Sequence, residues 1–312
     1  MFFHPPVIRL SPRRLRWCTI GCALLAAAAQ PMVAAAQEDS EPAEQTAVQS
    51  DAVTADNDQT AAAVDSIAVV EDFALAQPFA ARFDIQLDGK PMGFGEMNLQ
   101  RLPDIEGRAD LQQFEVLFTS KATSGVAKLA RFRGREQTSF VVQSGKVFPL
   151  LYEQNESMLF SKDVWQASFN WEDDKLSVSS TDGNWARTMQ VQTVDSLSIY
   201  LLLASQALRG VDAFGLSLLK EDKIADYQWQ LLPGETISNA CGEFETVVYQ
   251  GSWPDQDKTI WTWHAPDLHW LPVRIRKQRD ADSHFQIDLS AIAWGADEQR
   301  NCGQFPAAPK SG

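Results

Sequence analysis

From Phe79 onward, apolar residues return at every second position, and that period constrains the fold more than any other feature. Phe79, Ala81, Phe83, Ile85 and Leu87 alternate with Ala80, Arg82, Asp84 and Gln86. Such alternation describes a strand with one buried face. Asp88-Gly89 follows, a residue pair suited to a tight hairpin. The next strand carries Met97 and Leu99, with Gly93 and Gly95 near its start, where a bulge or a close approach is expected. Phe114, Val116 and Phe118 share a face, and Phe140 and Val142 lead to Ser144-Gly145. Trp165, Ala167, Phe169 and Trp171 precede Asp173-Asp174. Leu176 and Val178 precede Asp182-Gly183, and Trp185, Arg187, Met189 and Val191 share the next face. Strands at this spacing, with turn chemistry between them, predict an all-β, mainly antiparallel fold. The expected form is a strongly curved sheet or incomplete β-barrel. A pair of sandwiches split near 208–227 is the rival.

One segment breaks the rhythm and predicts one main α-helix over about 195–209. Asp195 suits an N-cap. Leu197, Tyr200, Leu201, Ala204, Ala207 and Leu208 fall at helical spacing, and Gly210 is a natural stop. The breadth of apolar surface suggests burial against a sheet. Such a helix either fills the concave side of the sheet or lids a pocket there. Strands then resume. Tyr227, Trp229 and Leu231 run to a turn at Pro233-Gly234. Residues 243–250 and 259–264 follow, and Pro266-Asp267 turns into 271–277. Phe285, Ile287, Leu289, Ala291 and Ala293 form the last alternating run.

Charge divides the chain. Residues 1–36 hold Arg9, Arg13, Arg14 and Arg16 and no acid, then an apolar run and Ala34, Ala35 and Ala36. This is the pattern of a signal peptide cleaved near Ala36, and it predicts a periplasmic, exported protein. A membrane anchor would need a longer run than Trp17–Ala29. Thr19-Ile20-Gly21-Cys22 only loosely follows a lipidation motif, because most of the apolar run lies after the cysteine. Residues 37–72 hold ten acids and no Lys or Arg, with no aromatic residue. They read as a disordered acidic linker, or as a docking tail for an envelope protein partner. The β domain is expected over 73–296, with a polar C-terminal tail over 297–312. A net charge of −14 excludes a duplex nucleic-acid partner, which demands excess Lys and Arg.

The chemistry-bearing residues are sparse. Cys241 and Cys302 remain after removal of the leader, and in an oxidising compartment they are a disulfide candidate; two buried thiols, or a tail too mobile to pair, are the alternatives. His264 and His269 flank the Pro266-Asp267 turn and read as surface hairpin residues rather than as metal ligands. No Gly-x-Ser-x-Gly elbow and no phosphate loop is present. No catalytic residue, cofactor or metal is assigned. A paired-carboxylate glycosidase stays open, because the separation of two carboxylates is a three-dimensional property.

Across most of residues 77–294 the layout resembles a family of exported bacterial proteins known as domain of unknown function 3108. The resemblance rests on the Phe83–Gly93 segment, Ser144-Gly145-Lys146-Val147-Phe148-Pro149, and Asp195-Ser196-Leu197-Ser198. It continues through Gly242-Glu243-Phe244-Glu245-Thr246, and through Trp263 and Asp267 with Leu271-Pro272-Val273. It implies a periplasmic, largely β protein, shaped like the half-barrels of lipoprotein and lipid carriers, with no catalytic residue to transfer.

Tryptophan is abundant at ten residues, and Trp suits both sheet packing and apolar ligands. Trp261 and Trp263 point to one face of their strand, with Ile260, Thr262 and His264 on the other. Trp229, Trp261, Trp263, Phe114 and Phe118 are the candidate ligand-binding residues. The expected function is a non-enzymatic periplasmic binding protein holding a lipid, acyl or lipoprotein ligand on an apolar concave surface. An envelope glycan hydrolase and a structural adaptor are the alternatives.

Overall fold

The computed structural model describes residues 77–103, 111–143, 146–190, 192–253, 256–278, 283–295 and 302–303. The expected leader and linker lie outside these residues, as does the tail apart from Cys302 and Gly303.

The period-two segments become strands of one sheet. The first wing comprises β1 (Phe79–Leu87), β2 (Lys90–Arg101), β3 (Gln112–Ala122), β4 (Arg133–Gln143), β5 (Lys146–Met158), β6 (Ser161–Asn170), β7 (Lys175–Ser180) and β8 (Gly183–Thr188). A short helix, α1 (Gly125–Leu129), interrupts it between β3 and β4. The second wing comprises β9 (Thr193–Val194), β10 (Ala213–Leu219), β11 (Ile224–Asn239), β12 (Gly242–Trp253), β13 (Gln256–Ala265), β14 (Leu271–Gln278) and β15 (His284–Trp294). The main helix, α2 (Ser198–Leu208), follows β9. The sheet order is β8-β7-β6-β5-β4-β3-β2-β1-β15-β14-β13-β12-β11-β10-β9. Chain-adjacent strands pair with each other except β8 and β9, which are the two edges, and β1 pairs with β15, so the two wings share one sheet. Among the described strands only the β9–β10 pairing is parallel. The expected curved, incomplete barrel is the observed fold, and the two-sandwich rival fails because the ladder is continuous.

Turn chemistry explains the register. Asp88 and Gly89 both have positive φ, at 52° and 71°, which suits a two-residue hairpin following the strand twist. The Asp88 carboxylate also accepts the backbone N–H of His284 at 2.9 Å, tying the β1–β2 hairpin to β15. Gly93 passes beneath the Lys121 carbonyl and Gly95 beneath the Phe118 ring, at positions where a Cβ has no room.

Two sequence expectations shift. Pro233-Gly234 is a bulge and not a turn. The register slips between Leu232 and Glu235, and β11 continues to Asn239. Beyond the bulge, the β11–β12 hairpin forms an arm. It is tied to the outward face of β13 by Trp263 Nε1 donating to Glu235 Oε2 at 3.0 Å. At its tip Cys241 is bridged to Cys302, whose backbone pairs with Ile292 of β15. The last alternating run is also broken. A bulge opposite Arg82 and Phe83 moves Ile292 and Trp294, rather than Ala291 and Ala293, into register with Ala81 and Phe79 on the inward face.

The inward face is lined by Phe83, Phe114, Phe118, Phe140, Tyr227 and Trp229, among others, all nearly inaccessible. Across this face lies α2, packed against β5 in one wing and β14 in the other. Every residue from Ser198 to Ala207 is buried. No helix among the described residues is long and apolar enough to cross a membrane.

Packing and covalent closure give two expected outcomes. A Cβ at Gly251 would sit 2.7 Å from Trp229 Cζ2, so Gly251→Ala forces the indole to move and is expected to cost about 1–3 kcal/mol in a denaturant melt. The Cys241–Cys302 bridge closes a loop with a sequence separation of 61. Chain-entropy arithmetic then makes Cys241→Ser with Cys302→Ser less stable than the oxidised protein by about 4 kcal/mol, read by the same melt.

Candidate functional site

A helix buried on all sides must have both its ends satisfied. Asp195 does this for α2 at the N-terminus. Its Oδ1 accepts the backbone N–H groups of Leu197 and Ser198, each at 2.9 Å. Ser198 Oγ donates to Oδ2 at 2.9 Å, and the Asp195 N–H donates back to Ser198 Oγ at 3.1 Å. This reciprocal box fulfils the expected N-cap role, although regular helix begins only at Ser198. The C-terminus ends on Gly210 with φ 64°. There Val211 N–H reaches the Gln206 carbonyl and Gly210 N–H the Ala207 carbonyl.

The same N-terminus carries polar groups into the lumen. Thr138 Oγ1 of β4 donates to Asp195 Oδ2 at 2.8 Å. Ser196 Oγ lies 2.5 Å from Glu136 Oε2 and 2.8 Å from the Tyr152 hydroxyl. Tyr152 donates to Glu136 Oε2 at 2.7 Å, and its hydroxyl lies 3.0 Å from Gln154 Oε1. Gln154 Nε2 donates onward to Glu156 Oε1 at 2.9 Å. Carboxyl, hydroxyl and amide thus form one connected network between α2 and strands β4 and β5. Glu136 Oε1, Ser120 Oγ and Trp165 Nε1 are buried beside it without a hydrogen-bond partner among the described residues. The strand registers place them close together: Trp165 pairs with Gln154, Gln154 with Glu136, and Ser120 with Gly134.

Burial sets the electrostatics. Glu136 is 2% exposed. Desolvation pushes its carboxyl up to about 7, although bonds from Ser196 and Tyr152 pull the other way; the nearby Asp195 adds a smaller push upward. Desolvation also raises Asp195, opposed by its four hydrogen bonds. In the other wing, burial lowers His264 to about 4. Its Nδ1 contacts the Trp270 carbonyl at 2.8 Å and its Nε2 contacts Thr262 Oγ1 at 3.1 Å.

The sequence-predicted residues fall on two different surfaces. Phe114, Phe118 and Trp229 face the lumen and are packed. Trp261 and Trp263 lie on the outward face of β13, where Trp261 Nε1 donates to Gln250 Oε1 and Trp263 is covered by the hairpin arm. No single concave surface gathers all five. Cys241 and Cys302 form the disulfide. His264, expected at the surface, is fully buried, because the strand period turns it inward beside Tyr249. His269 packs its ring against Trp294 instead. Among the described residues no group of three potential metal ligands converges.

Two open grooves lie on the outer face of the sheet. One of about 530 Å³ runs over β5–β8, past Leu151, Gln166, Ser168, Ser179 and Asn184. The other, about 600 Å³, runs past Asp212, Gln228, Gln230, Pro233 and Gln250. Neither is lined by Glu136 or Asp195. The lumenal carboxyls were legible in part. Extending the period back from Phe140 sets Thr138, Glu136 and Gly134 on the inward face, and counting on from Tyr152 adds Gln154 and Glu156. The polar character of those segments masked the alternation.

A half-open antiparallel barrel with a buried helix across its lumen is the class of protein these features define. The chain belongs to the family described as protein of unknown function DUF3108, whose model matches residues 82–290. Similar solved structures include a β-barrel-like protein of domain of unknown function DUF1849 from Brucella abortus. It has 12% identity and a TM-score of 0.45, covering 71% of this chain and 99% of that one. A presumed lipoprotein from Parabacteroides distasonis has 7% identity and a TM-score of 0.34, covering 70% and 95%. A presumed exported protein with a YmcC-like fold from Bacteroides fragilis has 12% identity and a TM-score of 0.30, covering 70% and 96%. The comparison with curated proteins finds no match.

Glu136 yields a pH prediction with a defined sign. The folded chain holds the Glu136 proton until about pH 7, whereas the unfolded chain releases it near 4.5. The folded state therefore binds more protons between these values, and stability falls as pH rises through that window. Glu136→Gln removes this loss. The variant is expected to match the wild type near pH 4.5 and to exceed it by about 1–3 kcal/mol at pH 8, in urea melts across pH.

Proposed function

We propose that this protein is a non-enzymatic binding protein of the periplasm that accepts the apolar chain of a lipid or lipoprotein in the lumen where α2 sits. The observation that carries this reading is α2 itself. It is an apolar helix buried along its whole length, set inside a sheet whose edge strands, β8 and β9, are not paired with each other. Sheets of this kind present their inner face to whatever fills the lumen, and here the filler is a single helix of the chain itself. The seam beside it is crossed by side-chain contacts such as Trp185 Nε1 to the Glu221 carbonyl at 2.7 Å. Side-chain contacts open more readily than a continuous ladder, so the seam offers a lateral entrance.

The chemistry of the lumen favours binding over turnover. Glu136 and Asp195 are the carboxylates a hydrolase would recruit. Both are buried beneath helix-capping and hydroxyl contacts, and neither lines the two outer grooves described above. The basic, apolar leader pattern and the Cys241–Cys302 bridge support an oxidising compartment outside the cytoplasm.

The test is mass spectrometry of an organic extract of the protein purified natively from the periplasm, paired with hydrogen exchange of α2. Near-stoichiometric acyl species are expected. Added lysophospholipid is expected to speed exchange of the 198–208 amides. An empty extract together with unchanged α2 protection in saturating lysophospholipid would remove the reading.

A further inference from the structure

Among the described residues few large apolar side chains are exposed, and most of them gather at one end of the first wing. In α1, Val126 is 64% and Leu129 75% exposed. In the β5–β6 turn, Leu159 is 45% and Phe160 97% exposed. The two elements are neighbours, because Leu159 N–H donates to the Ala130 carbonyl at 2.9 Å. They are also firmly seated. Ala127 packs with Ala122 and Phe132, flanked by half-buried Met92 and Met158. The N–H groups of Thr123 and Ser124 reach the Met92 carbonyl, and Ser124 Oγ donates to the Pro91 carbonyl. This is a fixed apolar prong, not a frayed loop.

Its rim has the opposite charge to the chain as a whole. Lys121 pairs across the ladder with Arg133, Arg133 with Ser157, and Ser157 with Lys162. All three cations are exposed, as are Lys128 and Arg131 beside the prong. Residues 121–135 hold no acid, and Glu136, which follows them, is buried on the other face. In 157–164 the one carboxylate is Asp163, which accepts a bond from Thr181 Oγ1 at 3.1 Å. A chain of net charge −14 therefore concentrates cations around its most exposed apolar residues.

We propose that this tip docks on the surface of an anionic phospholipid bilayer, with Phe160 and Leu129 entering the acyl boundary and Lys121, Lys128, Arg131, Arg133 and Lys162 meeting the headgroup phosphates. Exposed apolar side chains ringed by Lys and Arg are the chemistry of interfacial binding. A protein partner for this surface would also have to be acidic and apolar at one spot, whereas an anionic bilayer supplies both layers everywhere. The proposal stands apart from lumenal binding: it uses outward residues at one end and leaves α2 untouched.

Co-sedimentation of the full chain with vesicles tests it. Binding is expected to phosphatidylethanolamine–phosphatidylglycerol vesicles, to be weak on phosphatidylcholine alone, and to fall with added salt. Each of Lys128→Glu and Arg131→Glu is expected to weaken binding at least about fivefold. Phe160→Ser with Leu129→Ser is expected to weaken it about tenfold or more. These residues are exposed, so circular dichroism of every variant is expected to match the wild type. Phe160→Trp reports insertion through the difference between its emission and that of the wild type, which is expected to shift to the blue on anionic vesicles and not on neutral ones. Equal binding to neutral vesicles, no binding to anionic ones, or unchanged binding of the serine variant would overturn the proposal. So would concentration-dependent self-association abolished by Phe160→Ser, which would make the tip an interface between copies.

Discussion

The structure depends on how α2 fills the space inside a sheet that does not close. Fifteen strands in one ladder leave β8 and β9 at opposite ends without each other as partners. Curvature brings apolar inner faces together, but a curved sheet of this size encloses more volume than strand side chains alone occupy. The helix supplies the missing volume and touches both wings at once, at β5 and β14. Its amphipathicity is correspondingly slight: Ser198, Ser205 and Gln206 are as buried as its leucines. A helix apolar all round is stable only where every side meets protein, so α2 and the sheet require each other.

That mutual dependence has a polar cost, concentrated at one end of the helix. Bringing an N-terminus into a dry lumen leaves backbone N–H groups that must be capped from within. Asp195 does so, and its burial in turn requires Thr138 and Ser198 as donors. Glu136, beside it, answers the same desolvation by holding its proton to about pH 7. A buried carboxyl that stays neutral can donate as well as accept, which suits a site where Ser196 and Tyr152 each bring only one proton. The network ties β4 and β5 to α2 through directional bonds, where apolar packing alone would tolerate sliding.

The sheet was legible in the sequence because its dominant signal is local. Alternation from Phe79 to Leu87 with Asp88-Gly89, and again from Trp165 to Phe169, specifies both strand and turn. What escaped were features set by distant partners. Pro233-Gly234 has the composition of a turn, yet the arm beyond it keeps pairing because the Cys241–Cys302 bridge and Trp263 hold it down. Phe285 to Ala291 alternates and the apolar run 291–294 leaves the phase open, so the bulge against Arg82 and Phe83 decides that Ile292 and Trp294 turn inward. The helix was recognisable from its spacing and Asp195. Its lumenal partners were not, because Glu136, Gln154 and Glu156 are polar residues on inward positions, where the binary pattern expects apolar ones.

The first wing shows how a sheet can present contrary chemistry within a single residue step. Along β3 and β4, Ser120 pairs with Gly134 and faces the lumen, while the next pair, Lys121 with Arg133, faces out. On β5 the step from Glu156 to Ser157 repeats the change of side, and Ser157 faces Lys162. The pleat therefore sets buried carboxyls and an exposed cationic row on opposite sides of one sheet, separated only by backbone. Screening cannot erase the distinction. The outer charges are solvated and respond to salt, whereas the inner carboxyl is governed by desolvation. The tip of the wing can thus be cationic outside, in a chain of net charge −14, without the lumen behind it having to hold an anion to match.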